Sequence, residues 1–365
     1  MIDTAMIECI REEPNVIREI IKNKDTYLEP IINHFKKHNV KRIYFSGHGS
    51  PYNVGATLRP MMQNMLDIEV SVDYASFFNK NLDFNANKIY KNDEMLLICP
   101  AQSGKTKGPV DAAVKARSIG IPVLSLTLAE DGILAKNSDI VIKKNSGEER
   151  SFPETKGHVA SLMILALATV EIAHMLNKID NNKYDSYMKV FFEMPDRVEE
   201  IISRSEKWYS KYKEKLLTAP YLTFIGFGEN YHTAVEGSLK ILETTLKPCL
   251  SYECEEYMHG QNQPVDSQSV IFMIASEGNE LNRIHDLAKW CRLKGAYVIV
   301  IGNDNDDTLT DDDISIPSHN CAYLDAIEYL IPFQVFGHYI ADDMNLSCVV
   351  AHHDDAGKEL GVRYE

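Results

Sequence analysis

A chain of 365 residues, 44% of them hydrophobic, is long enough to build two domains with substantial cores. Its formal net charge of −15 argues against a protein whose main task is gripping nucleic-acid phosphates or an anionic membrane, so the expected partner is a small molecule, with no nucleic acid and no membrane. The seven cysteines (Cys9, Cys99, Cys249, Cys254, Cys291, Cys321, Cys348) are an odd, scattered set with no Cys-x-x-Cys pair, which speaks against a disulfide framework or a zinc ribbon and fits a reducing cytoplasm.

The opening "MIDTAMIECIREEPNVIREI" lacks the basic-then-apolar layout of a signal peptide and predicts an amphipathic helix. Short β-rich runs then alternate with helical stretches: "RIYFSG", a helix from Tyr52, "IEVSVDY", "EMLLICP", a helix from Lys105, "IPVLSLTL" and "DIVIKK". That alternation predicts a parallel sheet with helices on both faces. The turn "CPAQSGKTKG", residues 99–108, carries half of the phosphate-loop pattern in Gly104, Lys105 and Thr106, but Cys99 stands where the first glycine belongs. A nucleotide loop needs that glycine to wrap the backbone around a phosphate chain, whereas one phosphate needs only a few hydroxyls and amides at a helix start. A monophosphorylated ligand is therefore the expectation. Lys105 either adds charge or points to water.

A long helical region, roughly residues 157 to 217, follows. Its most apolar part, "HVASLMILALATVEIAHML", contains Glu171 and is flanked by His158 and His174, which leaves too short an uninterrupted stretch to span a bilayer and predicts a core helix. A second series then begins: "YLTFIGFG", a helix from Tyr231, "SVIFMIAS", a helix around Asn282 to Lys294, and "AYVIVIG". Near the end, "AHHDDAG" (351–357) looks like a metal cluster, but adjacent histidines diverge and no partner spacing supports them, so a polar tail is expected and no metal.

The second series repeats the first. "IYFSGHGSPYNVGATL" pairs with "LTFIGFGENYHTAVEGSL", matching Gly47, Gly49 and Tyr52 to Gly226, Gly228 and Tyr231, and "ARSIGIPVLSL" pairs with "CRLKGAYVIVI", matching Gly120 to Gly295. A period of about 175 residues means two copies of one domain rather than a solenoid array. The expected class is α/β, with two tandem flavodoxin-like, doubly wound domains over residues 1–190 and 191–365. Each Gly-x-Gly follows a strand and precedes a helix, a place where parallel sheets bind ligands, although glycines are common at such turns for steric reasons alone.

The tandem layout, with "GHGSPYN", "AQSGKT", "EERSFPETKGHVASL" and "EGSLKILETTLKPCLSYECEEYMHGQNQPV", resembles the double-SIS proteins of the sugar-isomerase domain class. Its relatives include the isomerase half of glucosamine-6-phosphate synthase and the fructosamine 6-phosphate deglycases. The most specific part is Glu-Gly-x-Leu-Lys-x-x-Glu, Glu236 to Glu243, followed by Glu255 to Gly260. The resemblance implies that Gly49 and Ser50, with Gln102, Ser103 and Thr106, hold a sugar phosphate. It also implies that Glu243 moves a proton between sugar carbons 1 and 2, and that His259 opens the ring from a neighbouring subunit. No cofactor is implied, and a homodimer or higher homo-oligomer is.

Glu236, Lys240 and Glu243 fall at i, i+4 and i+7 of one helix and so share a face. Without the family motif, such a stripe reads as a solvated ion-pair surface. A proton-transfer carboxylate works best when partial burial raises its pKa toward neutrality. Histidine suits proton shuttling because it donates and accepts near pH 7.

Two departures from the family pattern shape the expected chemistry. The synthase places a nucleophilic cysteine directly after the initiating methionine, where this sequence has Ile2, so ammonia release from glutamine is not expected. The synthase also carries a Schiff-base lysine in its C-terminal segment, a tail that reaches the active site. Aligned from the end, Leu360 takes that position, with Lys358 two residues away. Loss of the lysine favours cleaving an aminated sugar over making one, and a tail shift would restore Lys358 to the role. Glu154, where the family has a small serine, either binds a substrate amino group or pairs with Lys156. The expected activity is a deglycase for a 6-phosphorylated fructosamine. The alternatives are an aldose–ketose isomerase or amino-sugar 6-phosphate deaminase, and, outside enzymes, a sugar-phosphate sensor.

Overall fold

Runs dense in Val, Ile, Leu and Phe become the central strands here because both faces of those strands are covered, as parallel sheets require. In the computed structural model, which describes residues 3–276, 278, 281–319 and 321–364, the strand Met95–Pro100 is buried at every position. Contacts divide the chain into two compact units. The first contains Asn15–Glu149, Lys156–Phe192 and the chain from His352 onward; the second contains the chain up to Pro14, Arg150–Thr155 and Glu193–Ala351.

The helices, in chain order, are α1 (Ala5–Lys22), α2 (Lys24–Lys37), α3 (Ser50–Leu66), α4 (Ala75–Lys80), α5 (Lys107–Ser118), α6 (Ile133–Lys136), α7 (Lys156–Met175), α8 (Asn181–Thr218), α9 (Glu229–Thr245), α10 (Cys254–Glu256), α11 (Leu281–Leu293), α12 (Asp325–Asp343) and α13 (Ala356–Glu359). The first unit's sheet consists of β1 (Arg42–Gly47), β2 (Glu69–Tyr74), β3 (Met95–Pro100), β4 (Val123–Thr127) and β5 (Ile140–Lys143), all parallel in the order β2-β1-β3-β4-β5. This is the doubly wound order whose switch point falls between β1 and β3. Its core includes Tyr44, Phe78, Leu97, Val110 and Val123. Helix α7 is long and apolar enough to cross a membrane by length and composition, yet 83% of its apolar window is buried, and it packs against α2 and α3.

The second unit repeats the plan. β6 (Leu222–Gly226), β7 (Cys249–Glu253), β8 (Val270–Ala275), β9 (Tyr297–Asn303) and β10 (Ile314–Ile316) form a parallel sheet in the order β10-β9-β8-β6-β7. Strand for strand, this is the first sheet again. Phe224, Phe272 and Phe333 pack with ring centroids 5.3 to 5.5 Å apart, joining the sheet to α12. The strands β7 and β10 lie outside the sequence expectation. Both are edge strands; β7 is only partly buried and β10 has three residues, so neither carries a clear apolar run.

The repeat extends to the turns. Gly49 (φ 61°) caps α3 and Gly228 (φ 53°) caps α9, each in the left-handed region that a side chain rarely tolerates. The chain reverses there from strand to helix, which leaves the first helical amides at the carboxyl end of the sheet.

Candidate functional site

The first unit supplies a candidate anion cradle. β1 and β3 are neighbours, and the turns that leave them carry Ser50 and residues 101–106. Ser50 is the first residue of α3 and is buried. The second turn is pinned through its carbonyls: Gln102 O accepts from Thr127 Oγ1 (3.2 Å) and the Leu128 amide (3.3 Å), and Gly104 O accepts from the Leu134 amide (3.2 Å). The bonds that pin the turn to the neighbouring loop thus use its carbonyls and not its side chains. Ser103 is exposed, Gln102 Oε1 is buried without a hydrogen-bond partner, and Thr106, the N-cap of α5, makes no side-chain capping bond. Hydroxyls at the start of a helix suit a dianion, because the first amides lack helical partners and the dipole adds favourable potential.

His48, a residue not singled out in the sequence, joins these two turns. A Cβ on Gly108, in the first turn of α5, would lie 2.7 Å from His48 Nε2, so the missing side chain is what lets the imidazole rest there. His48 also stacks on Tyr74, which stacks on Tyr52. Burial lowers the His48 pKa and keeps the ring neutral beside the cradle. The signal for it was present in "GHGSPYN", between two glycines already read as a ligand turn.

The C-terminal tail completes the cradle's outer edge and changes one expectation. Arg363 forms an antiparallel bridge with Thr106, the Lys107 amide donates to Val362 O (3.0 Å), and the Tyr364 amide donates to Lys105 O (2.8 Å). The first amide of α5 is therefore occupied by the tail. Lys358 lies on α13, exposed, and Leu360 is exposed as well.

The second unit supplies an acid–base cluster on α9. Glu236, Lys240 and Glu243 do share a face, but it is not a solvated one. Lys240 and Glu236 are each 1% exposed in their side chains and Glu243 is 24% exposed. α12 packs beside this face: a Cβ on Gly237 would meet Phe333, and one on Gly337 would meet the Lys240 carbonyl. Lys240 Nζ lies 3.2 Å from Glu236 Oε1 and 3.0 Å from Glu243 Oε2. Burial pulls the Lys240 pKa down, but Glu236, Glu243 and then Glu154 outweigh it, so the ammonium stays charged. Burial pushes the Glu243 carboxyl up; Lys240 opposes the shift while Glu236 and Glu154 reinforce it, and the net result lies above the usual glutamate value. The structure thus joins Glu154 to the stripe, a grouping that helical spacing could not reveal because Glu154 comes from a distant loop.

His259 is exposed and sits in a π-helical turn, Tyr257–Gln261, whose helical geometry breaks at His259 (φ −101°, ψ 42°) and Gly260 (φ 123°). The base of that turn is held by Arg283, which donates to both Glu255 oxygens at 2.6 and 3.0 Å. In the repeat, Ser50 of the first copy corresponds to Glu229 of the second. Its carboxylate accepts from the Tyr323 amide at 3.0 Å, placing a resident negative charge at the start of α9, where a bound phosphate would be repelled. Among the described residues, no group of three or more His, Cys, Asp or Glu side chains is arranged to hold a metal ion; His352 and His353 meet edge to face.

The SIS domain model matches residues 38–171 and 215–335. Among curated proteins, the glutamine–fructose-6-phosphate aminotransferase (isomerizing) of Streptococcus pneumoniae strain R6 is 24% identical over 339 residues, 92% of this chain and 55% of the relative; the chain spans about half the length of that relative. A crystal structure of a proposed phosphosugar isomerase from Clostridium difficile 630 superposes with a TM-score of 0.88 at 26% identity, covering 98% of this chain and 99% of that one. The glucosamine-6-phosphate deaminase of Thermotoga maritima shares the fold with a TM-score of 0.73 at 20% identity, covering 96% and 98%. With two matched domains, two sheets of one topology and the cradle and cluster described above, the chain belongs to the SIS domain family.

Proposed function

We propose that this chain is a phosphosugar enzyme that cleaves a 6-phosphorylated fructosamine, such as a fructosyl amino acid phosphate, to glucose 6-phosphate and a free amine. The observation that carries the reading is the buried cluster on α9, where a raised carboxyl, Glu243, lies against a charged ammonium, Lys240, with Glu236 and Glu154 adding negative charge. A carboxylate held in that way is suited to taking a proton from carbon and giving it back.

Glu243 takes the proton from carbon 1 of the open-chain substrate to give an enaminol, then returns one to carbon 2. The product is an imine at carbon 1, which water hydrolyses. His259 opens the sugar ring. Ser50, Gln102, Ser103 and Thr106 hold the phosphate, with Gly49 allowing the backbone approach. Glu154 receives the substrate's amino group, a role that suits a carboxylate grouped with Glu236, Lys240 and Glu243. Because the amine arrives on the substrate, no Schiff-base lysine is needed, and Lys358 is free for a binding role. The likeness to a deaminase and to a tagatose-6-phosphate ketose/aldose isomerase from Escherichia coli (TM-score 0.71, 20% identity) supports a second reading, in which the same proton transfer ends in isomerisation or deamination. A coupled assay for glucose 6-phosphate across a panel of phosphorylated fructosyl amino acids tests the first. Release of amine supports the deglycase, release of ammonia from an amino-sugar phosphate supports the deaminase, and ketose–aldose exchange without either supports the isomerase.

A further inference from the structure

At the amino-terminal edge of the first unit's sheet, away from the turns that follow β1 and β3, lies a cavity of about 580 Å³. It is framed by the end of α2, the link from α5 to β4 and the start of β5. Its polar lining comes from Asn33, His34, Lys37, His38, Arg117 and Asp139, and Pro122 contributes to an apolar wall. No part of the proposed sugar chemistry uses it.

The charges of this cavity do not cancel. Arg117 Nε donates to Asp139 Oδ1 at 3.1 Å, and Asp139 Oδ2 accepts from the Val123 amide at 3.0 Å, so that carboxylate is satisfied and its charge offset by the guanidinium. Lys37 remains as an exposed cation in the lining. His34 is only 8% exposed, and its Nε2 is buried with no hydrogen-bond partner. Its ring centroid is 4.6 Å from that of His38, whose Nδ1 faces Asp93 at 3.8 Å. A buried imidazole nitrogen without a partner forfeits roughly 1–3 kcal/mol, and such groups in native proteins call for a water, an ion or a ligand. Burial first, and then His38, push the His34 pKa down to about 4. A neutral ring offers one donor and one acceptor, so it reads a polar group of a ligand rather than supplying charge. The volume is within the range of small-molecule sites.

We propose that this cavity is a second ligand site of the protein, for a small organic anion: a compact skeleton bearing a phosphate or carboxylate, its charged group toward Lys37 and Arg117, a hydroxyl or carbonyl on His34 Nε2, and its carbon frame against Pro122. Phosphate esters and carboxylates share this chemistry, and the test separates them.

The test is calorimetric titration of the full chain with glycerol 3-phosphate, with citrate and with inorganic phosphate, using wild type, Lys37→Glu, His34→Gln and a Ser103→Ala/Thr106→Val double variant. Saturable binding of glycerol 3-phosphate or citrate is expected in wild type and in the double variant. It should weaken about tenfold or more in Lys37→Glu, where attraction becomes repulsion. Lys37 is on the surface, so this variant should fold; His34→Gln, which keeps a polar group but alters its reach, should weaken binding to a smaller degree. Preference between the two organic anions identifies the head group, and inorganic phosphate alone should bind more weakly because it lacks the skeleton. Equal affinity in wild type and Lys37→Glu, loss of binding in the Ser103/Thr106 variant, or no saturable binding of either organic anion would each overturn the proposal.

Discussion

Glu236 and Glu243 share one ammonium: Lys240 Nζ sits 3.2 Å from the first and 3.0 Å from the second, in a side chain 1% exposed. Removing the cation takes the shared ion-pair partner from both carboxylates, and breaking a buried ion pair from one side costs about 3–5 kcal/mol. Lys240→Met should therefore lower stability by about that amount at pH 7 and abolish most turnover, because one carboxyl then takes up a proton. The deficit should shrink as pH falls toward about 4, where glutamates protonate in any state. Chemical denaturation at several pH values, alongside turnover, reads both effects; a variant as stable and as active as wild type would remove Lys240 from the site.

Glu243→Gln should keep phosphosugar binding and lose on the order of a hundredfold or more in turnover, since an amide preserves shape and cannot accept the proton. The raised Glu243 carboxyl fixes two signs. Activity needs the ionised form, so the acid limb of kcat/KM should lie above the ordinary glutamate value of 4.5. For stability, a folded-state pKa above the unfolded one means that the contribution is fully present below the unfolded pKa and is lost as pH rises through the folded one. The glutamine variant should accordingly match wild type near pH 4 and exceed it at pH 7. Thermal midpoints across that window measure the difference, and a variant less stable than wild type at neutral pH would contradict the shift.

The repeat was legible in the sequence because each copy keeps its glycines where strand turns into helix, and Gly49 and Gly228 do adopt the same left-handed conformation. The central strands were legible because they are apolar throughout. β7 was not, since a partly buried edge strand carries Ser251 and Glu253 among its few apolar residues. At the site, i, i+4 and i+7 spacing places Glu236, Lys240 and Glu243 on one face of α9 but says nothing about its burial, which depends on packing from elements distant in the chain, such as α12 beside it at Gly237. Glu154 and the Arg363–Thr106 bridge are long-range juxtapositions, for which local sequence holds no signal.

Ser103→Ala and Thr106→Val should each raise KM for phosphorylated substrate by about tenfold or more, in line with about 1.5–3 kcal/mol for a hydrogen bond to a charged group. Turnover of an unphosphorylated analogue should hardly change, because these hydroxyls are assigned to the phosphate alone. Parallel kinetics on the two substrates decides the matter. Equal losses on both would give the turn a different role.

The tail should tune the same turn. Tyr364 donates its hydroxyl to Asp111 Oδ1 at 2.5 Å, anchoring the segment whose backbone holds Lys105 and Lys107. Tyr364→Phe removes that anchor and should raise KM for the phosphosugar about two- to tenfold, the range of one net hydrogen bond, while kcat stays within about twofold. Steady-state kinetics with the phosphorylated substrate checks this. A drop in kcat at constant KM would place the tail in the chemistry instead of the phosphate cradle.

His259 is exposed, in a turn where helical geometry breaks, which fits a residue that works on a neighbouring copy. In a two-fold dimer each contact occurs twice, so a histidine crossing the interface would complete two equivalent sites, each with Glu243 from the other chain. Glu243→Gln and His259→Asn chains should each be inactive alone. Mixed and allowed to exchange in equal amounts, half of the dimers contain both kinds of chain, and each of these holds one doubly damaged and one intact site. Recovery should therefore approach about a quarter of wild-type activity. If the histidine serves its own chain, every site keeps one lesion. Recovery near zero, with exchange verified by differential tags, would rule out the shared site.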